Sequence, residues 1–262
     1  MQSKSSQDIL SQDTLKLAMG VLSSRFDVQV HALLDSTNTE AKRLAIDGTR
    51  YALISAEAQT AGRGRMGRSF YSPDTTGVYF SILYTFSAPI ASAVTVTSAA
   101  AVAVMRAIKR VCGKQTAIKW VNDLYLHDKK VCGILAESVL DPSRPNEYPV
   151  IIGIGINLRN TDFPTELADI AGALGSDTSR AELIAAAVEE LLPYLDTPDD
   201  RSWIDDYRRY SCILGREITW TRGAENRCGK AVGINEDGAL LVELPNGERQ
   251  TLFTGEISVR AI

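Results

Sequence analysis

Residues 148–158 (YPVIIGIGINL) form an almost uninterrupted apolar segment without a charged residue. A segment of this length and composition is typical of a β-strand that is covered on both faces. The rest of the chain must therefore supply a sheet and covering layers, and we expect this strand to lie at the centre of the sheet. Glycines at 153 and 155 within it suggest that a ligand approaches the backbone closely.

The neighbouring segments alternate between strand and helix patterns. Strands are predicted at residues 28–34, 51–57, 78–86, 116–120, 123–127 and 130–139, with a turn at 127–129. Helical patterns cover residues 5–24, 37–47, 179–194 and 199–211. Ser36 stands at the N-cap position of the second helix and Gly48 at its C-cap. Residues 87–105 lack charge over about the length that spans a bilayer, but their alanines, serines and threonines favour a buried helix packed on a sheet.

The sequence pattern changes at Leu214. From there, short strand patterns alternate with turn sequences that contain glycine, asparagine and aspartate, which is typical of a small antiparallel barrel. We therefore predict an α+β fold with two domains. The first, residues 1–212, contains a mixed or antiparallel sheet flanked by helices, and the second, residues 213–262, is a small C-terminal β-barrel.

Composition excludes several classes of protein. The 262 residues carry a net charge of −4, so no overall basic field draws the chain to nucleic acid or acidic lipid. The four cysteines lie far apart without a CxxC pair, and with two histidines they give no zinc-ligand spacing. We expect reduced, mostly buried thiols in the cytoplasm, and the N-terminal residues lack the features of a signal peptide.

Residues 62–68 (GRGRMGR) hold three arginines and three glycines. Their spacing approaches that of a P-loop, but residues 70–73 (FYSP) follow where a helix would have to begin, so the P-loop interpretation fails. A flexible loop remains whose guanidinium groups could close over a phosphate-bearing ligand. An exposed basic loop that contacts RNA non-specifically is the alternative.

Two further segments bear on function. Residues 119–125 (KWVNDLY) and 129–135 (KKVCGIL) place an amide, a carboxylate and lysines around one hairpin, where they could bracket a polar ligand. Residues 153–158 (GIGINL) resemble a dinucleotide fingerprint, but Leu158 occupies the third glycine position and no helix follows directly, so a Rossmann site is not expected.

In this order, together with residues 35–38 (DSTN) and Gln59, these segments resemble the biotin protein ligase family over about residues 28–160. The resemblance implies a class II synthetase-like catalytic domain and an SH3-like C-terminal barrel. It implies that biotin and ATP form biotinyl-5′-AMP and pyrophosphate. The biotinyl group then passes to a lysine of the biotin carboxyl carrier protein of acetyl-CoA carboxylase. Mg²⁺ is expected with ATP.

The resemblance also assigns roles to residues. Lys130, Arg65 and Asp123 are the candidate catalytic residues, and Asp123 either orients the acceptor lysine or holds phosphate-bound Mg²⁺. The candidate substrate-binding residues are Ser36, Thr37, Asn38, Gln59, Gly62, Arg63, Gly64, Arg65, Arg68, Lys130 and Gly133. The candidate nucleotide-binding residues are Arg65, Arg68, Phe70, Asn122 and Asn157. The chain departs from the family at Val121, usually proline, and at Phe70, often tryptophan.

Strand alternation should send one of Lys129 and Lys130 into the site and the other to solvent, and the resemblance gives the inward position to Lys130. About 25 residues precede the first strand, which is too few for the winged helix of family members that repress transcription, so we expect no DNA binding and no membrane association. An exposed sheet edge could pair two chains into a homodimer. Alternative functions are a lipoyl protein ligase, a nucleic-acid-binding module and an inactive scaffold.

Overall fold

The computed structural model describes residues 8–88, 93–139, 143–222, 225–253, 255 and 257–259. Its α-helices are α1 (Gln12–Met19), α2 (Thr37–Ile46), α3 (Ala93–Cys112), α4 (Arg180–Asp196) and α5 (Ile204–Arg209). Its strands are β1 (Asp27–Leu34), β2 (Tyr51–Gln59), β3 (Gly77–Phe86), β4 (Ala117–Lys119), β5 (Asp123–Leu126), β6 (Lys129–Ser138), β7 (Tyr148–Asn157), β8 (Glu217–Arg222), β9 (Glu225–Ile234), β10 (Leu240–Glu243), β11 (Arg249–Leu252) and β12 (Ile257–Val259).

The large sheet has the strand order β1-β2-β3-β7-β6-β5-β4. β1 and β2 are parallel, and the other neighbours are antiparallel. β7 is the middle strand, paired along its whole length with β3 and over most of it with β6, which confirms the central position predicted for the apolar segment. The mixed sheet flanked by helices confirms the predicted α+β class.

Both faces of this sheet are covered, as the composition of β7 requires. Ile152 packs with the larger core beneath α3 and α4, whereas its neighbour Ile151 packs with Ala41 and Ala45 of α2 on the opposite face. The two-residue period of a strand places consecutive side chains in different layers. The apolar run therefore contributes side chains to both cores.

The alanine-rich segment forms the buried helix that its composition predicts, although residues 89–92 lie outside the described part. Ala100, Ala101 and Ala107 of α3 are fully buried because small side chains let the helix lie close to its neighbours. Within the described residues, the structure has no helix whose length and hydropathy suit a membrane crossing. At the N-terminus, α1 buries Leu15 and Met19 in the same core, so it is a packing element.

The C-terminal strands form a separate sheet with the order β11-β10-β9-β8-β12, antiparallel throughout. The predicted small antiparallel domain is present. In the described residues β11 and β12 lie at opposite edges of this five-stranded sheet. The domain boundary at 212/213, which falls between α5 and β8, remains a prediction.

Three local expectations are corrected. The turn between β5 and β6 consists of His127 and Asp128, both at positive φ, and Lys129 already belongs to β6. The last helix covers only Ile204–Arg209 of the predicted 199–211. Of the four free cysteines, Cys132 is buried and the others are half-buried, so the thiols are less enclosed than predicted.

Candidate functional site

A cavity of about 390 Å³ opens where α2 begins, above the glycines of β6 and β7. All of the residues predicted for the site line this cavity except Gly62. The carbonyl of buried Gly62 instead accepts a hydrogen bond from Phe70 N at 2.8 Å, and a Cβ at Gly62 would collide with the Phe70 carbonyl. Gly62 therefore has a structural role at the base of the loop that carries the three arginines.

One wall of the cavity is neutral, polar and buried. Ser36, Thr37 and Asn38 stand at the start of α2, each no more than 4% exposed. The backbone N–H of Thr37 donates to Gln59 Oε1 at 2.8 Å. Ser36 occupies the N-cap position, as predicted, but its side chain makes no capping hydrogen bond. We call these four residues, together with Ser81 below them, the acid pocket.

Ser81 was missed in the sequence. Its hydroxyl is fully buried in β3 and lies 2.7 Å from Thr37 Oγ1 and 2.6 Å from Asn38 Oδ1, with geometry suited to donation. A buried hydroxyl without a partner is costly, so this group fixes the two pocket side chains. The only signal in the sequence is a serine in the middle of the largely apolar strand VYFSILYTF.

The glycines of the central strands make room for side chains of the protein itself. A Cβ at Gly153 would collide with Asn38 Oδ1, and one at Gly155 would lie 2.5 Å from the Phe70 ring. Phe70 also lies against Gly133 and packs edge-to-face on Tyr79 with ring centroids 6.3 Å apart. Asn38 and Phe70 therefore occupy part of the space over these glycines, which also line the cavity, and close approach of a ligand to their backbone stays a prediction.

Residues 62–70 form a hairpin, which we call the arginine hairpin. Gly64 N donates to Arg68 O at 2.7 Å, and the tip is a single 3₁₀ turn in which Met66 and Gly67 have positive φ. The absence of a helix after this hairpin agrees with the rejection of a P-loop. Arg63 Nη2 lies 2.8 Å from Glu137 Oε1, and Arg65 Nη1 donates to Asn122 Oδ1 at 3.1 Å.

The opposite wall is a charged corner formed by β5 and β6. Lys130 Nζ lies 2.7 Å from Asp123 Oδ1, and both side chains are partly exposed. Asn122 donates from Nδ2 to Ile134 O at 2.9 Å while it holds Arg65 through Oδ1. We call Lys130, Asp123, Asn122 and Arg65 the cationic corner. The preceding Trp120–Val121 peptide bond is cis, at the position of the Val121 departure.

The structure places Lys130 on the cavity side of β6, as strand alternation predicts for one of the two lysines. We had expected Lys129 to extend freely into solvent, but it does not. Its ammonium group donates to Ala168 O at 2.9 Å and to Asp169 O at 2.6 Å. Lys129 therefore anchors the segment beside the cavity.

That segment is a wall that the sequence did not predict. Phe163, Leu167 and Ile170 line the cavity, and Lys130 N donates to Ile170 O at 2.8 Å. Asn157 Nδ2 donates to Gly172 O at 2.9 Å, whereas buried Asn157 Oδ1 has no hydrogen-bond partner among the described residues. Residues 163–172 have no helical or strand periodicity, which is why they gave no signal.

Two ionisable side chains beside the lining residues Lys130 and Phe70 are kept neutral by burial. Burial raises the pKa of the Cys132 thiol next to Lys130, so the thiol stays protonated. Burial also raises the pKa of Tyr79 to about 12. In the described residues, no three His, Cys, Asp or Glu side chains are placed to hold a metal ion together.

Comparison with known proteins adds an independent finding. Residues 30–157 match the model of the Biotin/lipoate A/B protein ligase family, and residues 213–260 match the Biotin protein ligase C terminal domain. The chain is 33% identical over 242 residues to Biotin--[acetyl-CoA-carboxylase] ligase of Paracoccus denitrificans, covering 86% of this chain and 98% of that protein.

The chain is also 32% identical over 241 residues to Bifunctional ligase/repressor BirA of Bacillus subtilis (strain 168), covering 87% of this chain and 73% of that protein. Among solved structures, biotin protein ligase from Aquifex aeolicus in complex with biotin and ATP superposes with a TM-score of 0.75 at 26% identity. The alignment covers 89% of this chain and 98% of the Aquifex chain.

Proposed function

This chain belongs to the biotin protein ligase family, and we propose that it activates biotin with ATP and transfers the biotinyl group to a lysine of a carrier protein. In the first step a carboxylate oxygen of biotin attacks the α-phosphorus of ATP, and pyrophosphate leaves. In the second step a neutral lysine amine attacks the acyl carbon, and AMP leaves. The observation that carries the proposal is that one cavity combines the neutral acid pocket with the cationic corner.

The acid pocket supports recognition of the ureido ring of biotin. Thr37, Asn38 and Gln59 present hydroxyl and amide groups that are held by hydrogen bonds before any ligand arrives. A site built to pair with N–H and C=O groups rejects an acid that lacks them, because its own buried groups are then left unpaired. This argument favours biotin over lipoate.

The cationic corner supports the adenylation chemistry. Attack of a carboxylate on a phosphate brings negative groups together, so positioned cations lower the barrier. Lys130 and Arg65 both line the cavity; Asp123 contacts the ammonium group of Lys130, and Asn122 accepts from the guanidinium group of Arg65. We propose that Lys130 stabilises the attacking carboxylate and the α-phosphate, and that Arg65 and Arg68 contact the nucleotide, with Phe70 and Asn157 beside it.

ATP would bring Mg²⁺ on its phosphates, and Mg²⁺ commonly takes few protein ligands. Asp123 is the carboxylate of the corner, and its present partner is Lys130, which suits either holding the ion or orienting the acceptor lysine. We propose as acceptor the biotin carboxyl carrier protein of acetyl-CoA carboxylase, as the name of the Paracoccus relative indicates, and therefore a cytoplasmic location. The free edge of β1 is where a second copy could pair.

The test is pyrophosphate release with Mg-ATP and biotin, lipoate or no acid, followed by transfer to a carrier domain. We expect release with biotin well above the other two reactions. Release in the lipoate reaction but not in the biotin reaction would identify a lipoyl ligase, which belongs to the same broad family. Equal release in all three reactions would contradict acid activation.

A further inference from the structure

Glu137, which was not among the predicted site residues, links two walls of the cavity. It lies in β6, and its carboxylate oxygens have different partners: Oε2 accepts from Asn38 Nδ2 at 2.8 Å, and Oε1 lies 2.8 Å from Arg63 Nη2. Asn38 belongs to the acid pocket and Arg63 to the arginine hairpin. A single carboxylate therefore connects the part that selects the acid to the part that covers the product.

The first link fixes how Asn38 faces the cavity. With Nδ2 held by Glu137, the amide oxygen points over Gly153 and accepts from Ser81 at 2.6 Å. A carbonyl oxygen has two lone pairs, so one remains for a ligand. Glu137 thus sets Asn38 as an acceptor, which suits an N–H of a cyclic urea.

The second link gives Arg63, a candidate substrate-binding residue, a partner within the protein. The side chain of Arg63 is 44% exposed, and its charge is balanced by the carboxylate of Glu137. This ion pair suits Arg63 to hold the hairpin against β6.

We propose that Glu137 is a positioning residue of the ligase reaction, which orients Asn38 for biotin and latches the arginine hairpin through Arg63. The inference rests on the proposed function. Because Glu137 acts through two neighbours and not on the reacting atoms, it should govern the affinity for biotin and the retention of the adenylate, while the rate of adenylation at saturating substrates stays near that of the wild type.

The experiment compares Glu137→Gln, Glu137→Leu, Arg63→Gln and the double variant Glu137→Gln/Arg63→Gln. Each is assayed for KM for biotin, kcat of adenylation, and hydrolytic loss of the adenylate without acceptor. Glu189→Gln is the control for loss of an ion pair away from the cavity, because Glu189 lies 2.7 Å from Arg110, between α3 and α4; Arg110 is 45% exposed, close to the 44% of Arg63, and Glu189 is 61% exposed against 30% for Glu137.

Glutamine keeps an acceptor for Asn38 but removes the charge that holds Arg63. Glu137→Gln should therefore speed adenylate loss by about two- to fivefold, as for a partly exposed ion pair, with kcat within about twofold of the wild type. Arg63→Gln should speed adenylate loss to a similar extent, and the double variant should lose the adenylate no faster than either single variant, because all three remove the same contact. Glu137→Leu should also raise KM for biotin about tenfold, because Asn38 Nδ2 loses its partner.

The outcomes separate the two claims. A wild-type protein that releases no pyrophosphate with biotin refutes the proposed function itself. With an active wild type, the inference fails if Glu137→Gln retains the adenylate as well as Glu189→Gln does, or if the two single effects multiply in the double variant. Thermal unfolding identifies any loss of fold, and the isosteric Glu137→Gln keeps the test valid if Glu137→Leu does not fold.

Discussion

The acid pocket and the cationic corner face each other across one cavity, but they are built in opposite ways. Ser36, Thr37, Asn38 and Ser81 are neutral and at most 4% exposed, and short hydrogen bonds join Ser81 to Thr37 and Asn38. Lys130 and Asp123 are charged, and their side chains are 33% and 20% exposed. Buried neutral dipoles can discriminate between ligands at modest cost, whereas full charges must stay near water until substrate replaces it. The contrast indicates that selection of the acid and its activation lie on separate walls.

The largest effect should come from the cationic corner. Lys130→Ala removes a charge placed where a carboxylate would attack phosphate, and adenylation should fall by about 10²–10³. Pyrophosphate release measures this rate, and circular dichroism should show an unchanged fold. Lys129→Ala is the matched control: it removes a neighbouring charge whose hydrogen bonds go to the backbone carbonyls of Ala168 and Asp169, so adenylation should fall far less than in Lys130→Ala. An inactive Lys129→Ala together with an active Lys130→Ala would show that Lys129, and not Lys130, acts in adenylation.

The next effect should come from the acid pocket. Asn38→Ala deletes the amide that joins Ser81 and Glu137, so KM for biotin should rise about tenfold while KM for ATP stays within about twofold. Initial rates over a grid of biotin and ATP concentrations measure both constants. An equal rise in both would show that the two walls do not act separately.

A steric change should reproduce part of that effect without removing any polar group. A Cβ at Gly153 would collide with the Asn38 amide, and overpacking of this kind costs about 1–3 kcal/mol. Gly153→Ala should therefore raise KM for biotin in the same direction as Asn38→Ala. Gly233→Ala in β9 is the control, since its Cβ would meet Leu241 at an ordinary 3.4 Å. Unchanged biotin kinetics in Gly153→Ala would contradict the role given to Asn38.

The smallest effect concerns mobility. The exposed arginine hairpin should exchange amide hydrogens faster than the buried start of α2, and biotin with ATP should slow exchange at residues 61–70 several-fold. Hydrogen exchange with and without both substrates tests this expectation. Equal protection of the hairpin in both states would refute it.

The sequence predicted what depends on local pattern. Three features are each continuous in the chain, so periodicity and spacing indicated them: the apolar run of β7, the glycine–arginine loop and the corner at Asn122–Asp123. The two-sided core follows from the same alternation, as Ile151 and Ile152 show.

The residues that were missed depend on tertiary contacts. Ser81 and Glu137 lie in ordinary strand sequences and gain their importance from Asn38, which is 43 and 99 residues away along the chain. The wall at Phe163, Leu167 and Ile170 is irregular backbone held by Lys129 and Lys130, so it has no periodic signal. Pairings across the sheet, and not local propensity, create these parts of the site.

Adenylate formation in a single turnover tests the separation of the two walls most directly. Labelled ATP is mixed with excess enzyme and saturating biotin, and Lys130→Ala is compared with Asn38→Ala. The account predicts a rate about 10²–10³ below the wild type for Lys130→Ala, and a rate within about threefold for Asn38→Ala once biotin saturates the pocket. A fast Lys130→Ala, or an Asn38→Ala that stays equally slow at saturating biotin, would contradict it.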